Sequence, residues 1–161
     1  MEFSLIPFSS GMIQKQAIDE VVRCNDYTKR FGIMLTQEQA AELVETRFLA
    51  LSGTGRIEFG GGVIDRIIKA FCDSPYISKH NYTQTLHDLI EIFYHAKNET
   101  ADLISDDDLI KFMNRAFDGV CQGSLDLLAG SEIFRLANNL RFGLPADYVE
   151  DELLEEAEED E

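Results

Sequence analysis

Thr36-Gln37-Glu38-Gln39-Ala40-Ala41-Glu42-Leu43-Val44-Glu45-Thr46-Arg47-Phe48-Leu49-Ala50-Leu51 runs directly into Ser52-Gly53-Thr54-Gly55-Arg56-Ile57-Glu58-Phe59-Gly60-Gly61-Gly62, and this stretch decides the fold class. Thr36 followed three residues later by Gln39 is a capping box, in which each side chain satisfies the other's free backbone amide. Ala40, Leu43, Val44, Phe48 and Leu51 then recur at helical spacing, so an amphipathic helix with that stripe inward is expected. Five glycines within residues 53–62 end it. Each loses roughly 0.5–1 kcal/mol more backbone freedom than alanine on folding. Such a run implies a left-handed turn, a close backbone approach, or an anion cradled by amides.

The same periodicity extends outward in both directions. A first helix is expected over Ile13–Arg30, with Ala17, Ile18, Val21 and Cys24 inward and Gly32 as its stop. Beyond the loop, Val63, Ile64, Ile67, Ile68 and Phe71 share one arc of a helix that Pro75 brings to an end. The longest helix is expected over Thr83–Leu103, with Leu86, Leu89, Ile90 and Phe93 inward. Ser105 and Asp108 mark a further N-terminus, ahead of Leu109, Phe112, Met113, Ala116 and Phe117. Gly119 and Gly123 precede a short segment at Leu125–Ala129, and Gly130-Ser131 opens a last helix ending near Phe142-Gly143. Arg56–Phe59 is the one stretch with room for extended backbone. The reading is all-α: a single domain over residues 1–149, a bundle of six or seven helices with a glycine-rich interhelical loop.

Nine of the 30 acids fall in Glu150–Glu161, leaving residues 1–149 with −7 of the formal net charge of −16. A segment so charged cannot bury enough apolar surface to fold, so residues 150–161 are expected to form a disordered acidic tail. An acidic body lacks the basic face that nucleic-acid binding rests on, and it is not attracted to an anionic membrane surface. No apolar run approaches the ~20 residues of a membrane span. Met1-Glu2-Phe3-Ser4-Leu5-Ile6-Pro7-Phe8 is apolar but short, broken by Pro7 and without a basic start, so it is not read as a signal peptide. Cys24, Cys72 and Cys121 are odd in number and far apart, which favours reduced thiols in a cytoplasm over disulfides or zinc.

Arg47 falls in the middle of the apolar arc of its helix, and a guanidinium aimed inward needs an anion or several carbonyls. Arg56 is close in sequence, and Gly60, Gly61 and Gly62 precede a helix whose first amides suit a phosphate or carboxylate. One expectation is therefore an anion-binding pocket built from Arg47, Arg56, Gly60, Gly61 and Gly62. The plainer alternative pairs Arg47 with Glu58 and leaves the glycines to form a tight corner. The loop lacks the Gly-Lys-Ser/Thr ending of a phosphate-binding loop, and no strand precedes it as in a dinucleotide fingerprint.

Gly119-Val120-Cys121-Gln122-Gly123 has the spacing of a thiol nucleophile elbow, making Cys121 a candidate reactive thiol. That motif works on a strand-to-helix turn, whereas here it follows a helix, and a packed apolar thiol is the alternative. His87, Glu91 and His95 lie at i, i+4 and i+8, away from Leu86, Ile90 and Phe93; a solvated face is expected rather than a metal site. His80 lies in a loop and adds nothing to them. Asp106-Asp107-Asp108 lacks the alternation of a calcium loop and fits a helix N-terminus instead. No catalytic constellation, metal site or cofactor is expected.

Leu43-Val44-Glu45-Thr46-Arg47, Thr54 to Gly62, Phe71-Cys72-Asp73-Ser74-Pro75-Tyr76-Ile77 and Asp118 to Leu125 together resemble the markers of an uncharacterised family of small cytoplasmic proteins from anaerobic Firmicutes. The resemblance covers roughly residues 35–142. It implies a bacterial, cytoplasmic domain of unknown function, and it carries over no activity and no catalytic residue. Two functional readings follow. The first is a non-catalytic helical protein-interaction or regulatory module working through a protein partner or self-association. Phe3, Leu5, Ile6, Phe8 and Tyr148, and Leu153-Leu154 in the tail, are candidate contacts for it. The second is a protein or small enzyme that binds an anionic small molecule through Arg47, Arg56 and the glycine loop, with Glu58 as the nearest base.

Overall fold

The computed structural model describes residues 14–144. The apolar Phe3–Phe8 segment, Tyr148 and the acidic tail lie outside the described residues. Every regular element among the described residues is helical, and no strand occurs. The elements are α1 (residues 14–23), α2 (Asn25–Thr28) continuing into a 3-10 turn (Lys29–Phe31), α3 (Gln37–Leu51), α4 (Gly62–Phe71), α5 (Tyr82–Glu99), α6 (Asp106–Asp118), α7 (Leu125–Leu127), a π-helical turn (Leu128–Glu132) and α8 (Ile133–Arg141). None of the helices described is long and apolar enough to cross a membrane. The chain divides between Glu91 and Ile92 into two compact units, with α5 running through the division.

In the first unit, α3 starts as its capping box dictates. Thr36 Oγ1 accepts from Gln39 N at 3.1 Å, and Gln39 Oε1 accepts from Thr36 N at 2.9 Å. Ala40, Leu43 and Val44 are buried, and so is Arg47. Phe48 departs from the expected stripe: it is 56% exposed. α4 packs against α2 and α3. Its Ile64, Ile67, Ile68 and Phe71 are fully buried, each contributing about 1.5–3 kcal/mol relative to an exposed side chain.

The helix expected over Ile13–Arg30 is interrupted at Cys24 and tightens into the 3-10 turn. Past it, a side-chain clasp holds the returning chain. Asn25 Nδ2 donates to Leu35 O and Asn25 Oδ1 accepts from Leu35 N, both at 2.8 Å. Thr28 Oγ1 donates to Ile33 O at 2.8 Å. The backbone of residues 33–35 is thereby paired without a ladder. Gly32, at φ +77°, makes the reversal that permits it.

In the second unit, α5 stops at Glu99 instead of reaching Leu103. Ala101 and Asp102 adopt left-handed backbone at φ +51° and +61°, and Asp102 N donates to Lys97 O at 3.0 Å. That bond is the six-to-one closure of a helix C-terminus. Lys97 Nζ holds the turn from the inside by donating to Ile104 O at 2.6 Å, beside Asp106 at 3.0 Å. Ser105 caps α6 through Asp108 N as expected, and Leu109, Phe112, Met113, Ala116 and Phe117 are buried. Gly130 does not open a new helix. The chain passes from α7 to α8 through the π turn, a widening that takes Gly130 and Ser131 without a break.

Candidate functional site

The loop after α3 is shaped by its own short side chains. Thr54 Oγ1 donates to Leu51 O at 2.7 Å and accepts from Arg56 N at 3.2 Å. Residues 55–59 then run as irregular backbone with no strand pairing, so the extended stretch allowed for at Arg56–Phe59 forms no strand. Gly60 and Gly62 both have positive φ, at +62° and +49°. Space is also restricted there. A β-carbon on Gly60 would overlap the Glu20 carboxylate, one on Gly61 would overlap Asp65, and one on Gly62 would sit 2.7 Å from Glu58 Oε1 and 3.2 Å from Arg47 Nη1.

Gly61 is the hub of this corner. Its N–H donates to Glu20 Oε2 from α1, and its carbonyl accepts from Arg47 Nη1 at 3.1 Å. Glu58 Oε1 accepts from Val63 N at 3.1 Å and lies 3.8 Å from Arg47 Nη1, while Glu58 Oε2 accepts from Arg56 Nε at 3.2 Å. Arg47 and Glu58 are buried, and Arg56 is half-buried. The Gly61 and Val63 amides thus already hold carboxylates, Glu20 and Glu58. All five residues of the expected anion pocket, Arg47, Arg56, Gly60, Gly61 and Gly62, are brought together, with the chain's own acids among them.

Glu20 and Asp65 are the members of the corner that the sequence reading missed. Glu20 lies one turn before Cys24 on the same face of α1, which was the available signal. Asp65 is half-buried. Burial raises its carboxyl above the ordinary range; the hydrogen bond from Cys24 Sγ, at 3.4 Å, works the other way, and the nearby Glu20 charge adds to the rise. Burial, together with the Asp65 charge, pushes the Cys24 thiol up to about 12.

Above the ion pairs lies a groove of about 220 Å³, lined on the α3 side by Val44, Arg47, Phe48 and Leu51 and on the loop side by Arg56, Ile57, Glu58 and Phe59. Gln14 and Ser52 complete its rim. Its apolar side chains stand out from the surface: Ile57 is 74% and Phe59 68% exposed. The groove has an apolar mouth over a floor whose charges are internally paired.

The other candidates are placed elsewhere. Cys121 is buried, and burial raises its thiol above the ordinary range, with the Glu132 charge adding to it. The backbone of this segment closes α6, through Cys121 N to Ala116 O at 2.9 Å and Gly123 N to Phe117 O at 2.8 Å. The strained residue there is Gln122, at φ +48°. Glu91 and His95 are exposed, whereas His87 is half-buried with Nδ1 2.6 Å from Thr46 Oγ1. No group of three or more metal-ligating side chains occurs among the described residues.

No curated protein and no solved structure matches the chain. A family model described as a family of unknown function, DUF6323, matches residues 20–146, spanning α3, the glycine corner, the groove apart from Gln14, and the Cys121 turn. The chain belongs to that family.

Proposed function

We propose that this protein is a non-catalytic interaction or regulatory module of the bacterial cytoplasm, and that it holds apolar side chains of a protein partner in the groove between α3 and the glycine corner. The observation that carries this reading is the pairing of solvent-exposed Phe48, Ile57 and Phe59 with a concave surface. Large apolar side chains that share one exposed patch are the usual mark of an association surface. The corner beneath it supports the same reading. Glu58, held by Arg47, Arg56 and the Val63 amide, anchors the loop that presents Ile57 and Phe59, which lowers the entropy loss of ordering it on binding. The buried, unpaired cysteines are in keeping with a reducing compartment.

The second reading, an anionic small molecule bound through Arg47 and Arg56, draws support from the two guanidinium groups that meet at Glu58. An incoming anion has to displace Glu58 from Arg47, Arg56 and the Val63 amide, which makes it the weaker of the two.

Native mass spectrometry on gently purified, reduced protein separates them. A stoichiometric protein partner that is lost in Ile57→Ser/Phe59→Ser supports the interaction module. A small-molecule increment lost in Arg56→Ala supports the second reading. A bare chain mass in extracts of the native cell at micromolar concentration contradicts both.

A further inference from the structure

The groove does not stand alone on α3. At about 100° per residue, Glu38, Glu42, Glu45 and Leu49 fall within about 60° of one another on this helix, and Phe48 lies about 60° further round, at the lip of the groove. All five are exposed. None of the three glutamates pairs with a cation among the described residues. On the other side this strip is bounded by Thr46, whose hydroxyl lies against His87 of α5. The exposed surface of α3 is therefore an uncompensated acidic strip leading into an apolar groove.

We infer that the partner segment is an amphipathic helix whose apolar side chains fill the groove over Phe48, Ile57 and Phe59, and whose neighbouring face carries lysine or arginine against Glu38, Glu42 and Glu45. The inference rests on the reading of the groove as a protein-docking surface and adds the partner's chemistry to it. A helix is favoured because the described residues include no strand edge for an extended peptide to join, and because apolar and charged contacts on adjacent arcs match the i, i+3, i+4 pattern of helix-in-groove recognition. The cations belong over the strip, where the three glutamates are exposed, and not in the groove, whose floor already carries the guanidinium groups of Arg47 and Arg56. The net charge of −7 over residues 1–149 adds to the attraction for such a segment.

The test uses the full chain and three synthetic peptides of about 18 residues, long enough to form a helix on binding. One carries leucines at i, i+3, i+4 and i+7 with lysines elsewhere. The second replaces the lysines by glutamates, and the third replaces the leucines by serines. Fluorescence anisotropy at low salt is expected to show binding of the Leu/Lys peptide alone. Its affinity should fall about tenfold in Ile57→Ser/Phe59→Ser and about threefold to tenfold in Glu42→Gln/Glu45→Gln, and the second effect should vanish near 1 M salt. All of these substitutions are at exposed positions, and circular dichroism checks that they leave the fold unchanged. Equal binding of the Leu/Glu peptide, still lost in Ile57→Ser/Phe59→Ser, keeps the docking surface and overturns the partner's basic chemistry. Binding of the Ser/Lys peptide as tight as that of the Leu/Lys peptide, loss of neither in Ile57→Ser/Phe59→Ser, or binding of none of the three overturns the docking surface itself. A chain dimer that dissociates in Ile57→Ser/Phe59→Ser puts a second copy in the groove and overturns the inference. Leu/Lys affinity that rises in Phe3→Ser/Phe8→Ser does the same for the chain's own apolar segment.

Discussion

Arg47 on α3 and Glu58 in the loop after it lie with Nη1 and Oε1 3.8 Å apart, both side chains buried, and each also binds the backbone at the start of α4. Arg47 reaches the carbonyl of Gly61 and Glu58 the amide of Val63. The pair therefore ties the end of one helix to the beginning of the next. It fixes the intervening loop in the form that holds Ile57 and Phe59 outward. Breaking a buried pair from one side leaves the other charge uncompensated, which costs about 3–5 kcal/mol. Glu58→Ala is expected to lose that much in urea unfolding at neutral pH, and exposed Glu45→Ala less than about 0.5 kcal/mol. A Glu58→Ala midpoint equal to that of the wild type contradicts the assignment.

Gly62 is held at φ +49° with Glu58 against it, whereas Gly53, at φ +80°, has open space around it. Gly53→Ala meets only the left-handed backbone penalty, about 1–2 kcal/mol. Gly62→Ala adds displacement of the Glu58 carboxylate from charge-assisted hydrogen bonds, bringing the expected loss to about 3 kcal/mol or more. Urea midpoints of the two variants measure the difference, and equal losses would count against a built corner.

Asp65 titrates above its ordinary value of 3.8 because of burial. Its protonated form is the one the fold favours. The stability it contributes is therefore fully present below about 3.8 and lost as pH rises through the elevated value. Asp65→Asn keeps an acceptor for the Cys24 thiol and removes that loss. The variant is expected to gain on the wild type as pH rises from about 3.8 through the elevated value, and to keep that gain above it, in thermal unfolding. A constant gap across that range would refute the assignment.

All three thiols are buried and raised above the ordinary range, Cys24 to about 12. The thiolate is the reactive form. Iodoacetamide near pH 8 is expected to label Cys24, Cys72 and Cys121 more than tenfold more slowly in the folded chain than in urea. Fast labelling of Cys121 in the folded chain would revive it as a reactive thiol.

Lys97 gathers Ile104 O, Asp102 and Asp106 around one ammonium group, on a side chain that is 10% exposed. Lys97→Met removes the donor while keeping the aliphatic stem. It should destabilise the chain by about 1–3 kcal/mol, the range for leaving a buried carbonyl and its partners unsatisfied. A change below about 0.5 kcal/mol in urea unfolding would mean that the α5–α6 turn holds without it.

Much of the helical framework is legible from local signals. The Thr36–Gln39 box, the Ser105 cap, the α4 stripe and the inward Arg47 all depend on residues within a turn or two of one another, where helix geometry alone decides. Arg47 with Glu58 and the tight glycine corner also stood among the expectations. Glu20 at Gly61 did not: its place one turn before Cys24 marks an inward face, but a partner 41 positions away leaves no mark in spacing. Periodicity places Phe48 inward because it gives an arc and not its edge, and the edge is set by where the loop returns. The Asn25 clasp was hidden because Asn25 is an ordinary helix residue until Leu35 folds back onto it. The π turn was missed because Gly130 signals a break whether the helix ends or only widens.

The most direct measurement is amide chemical-shift mapping of the full chain on addition of the Leu/Lys peptide. Shifts concentrated in Glu42–Leu51 and Ser52–Phe59 are the predicted result and locate the partner in the groove. Shifts absent there and gathered instead about exposed Phe134 and Phe142 would contradict the account.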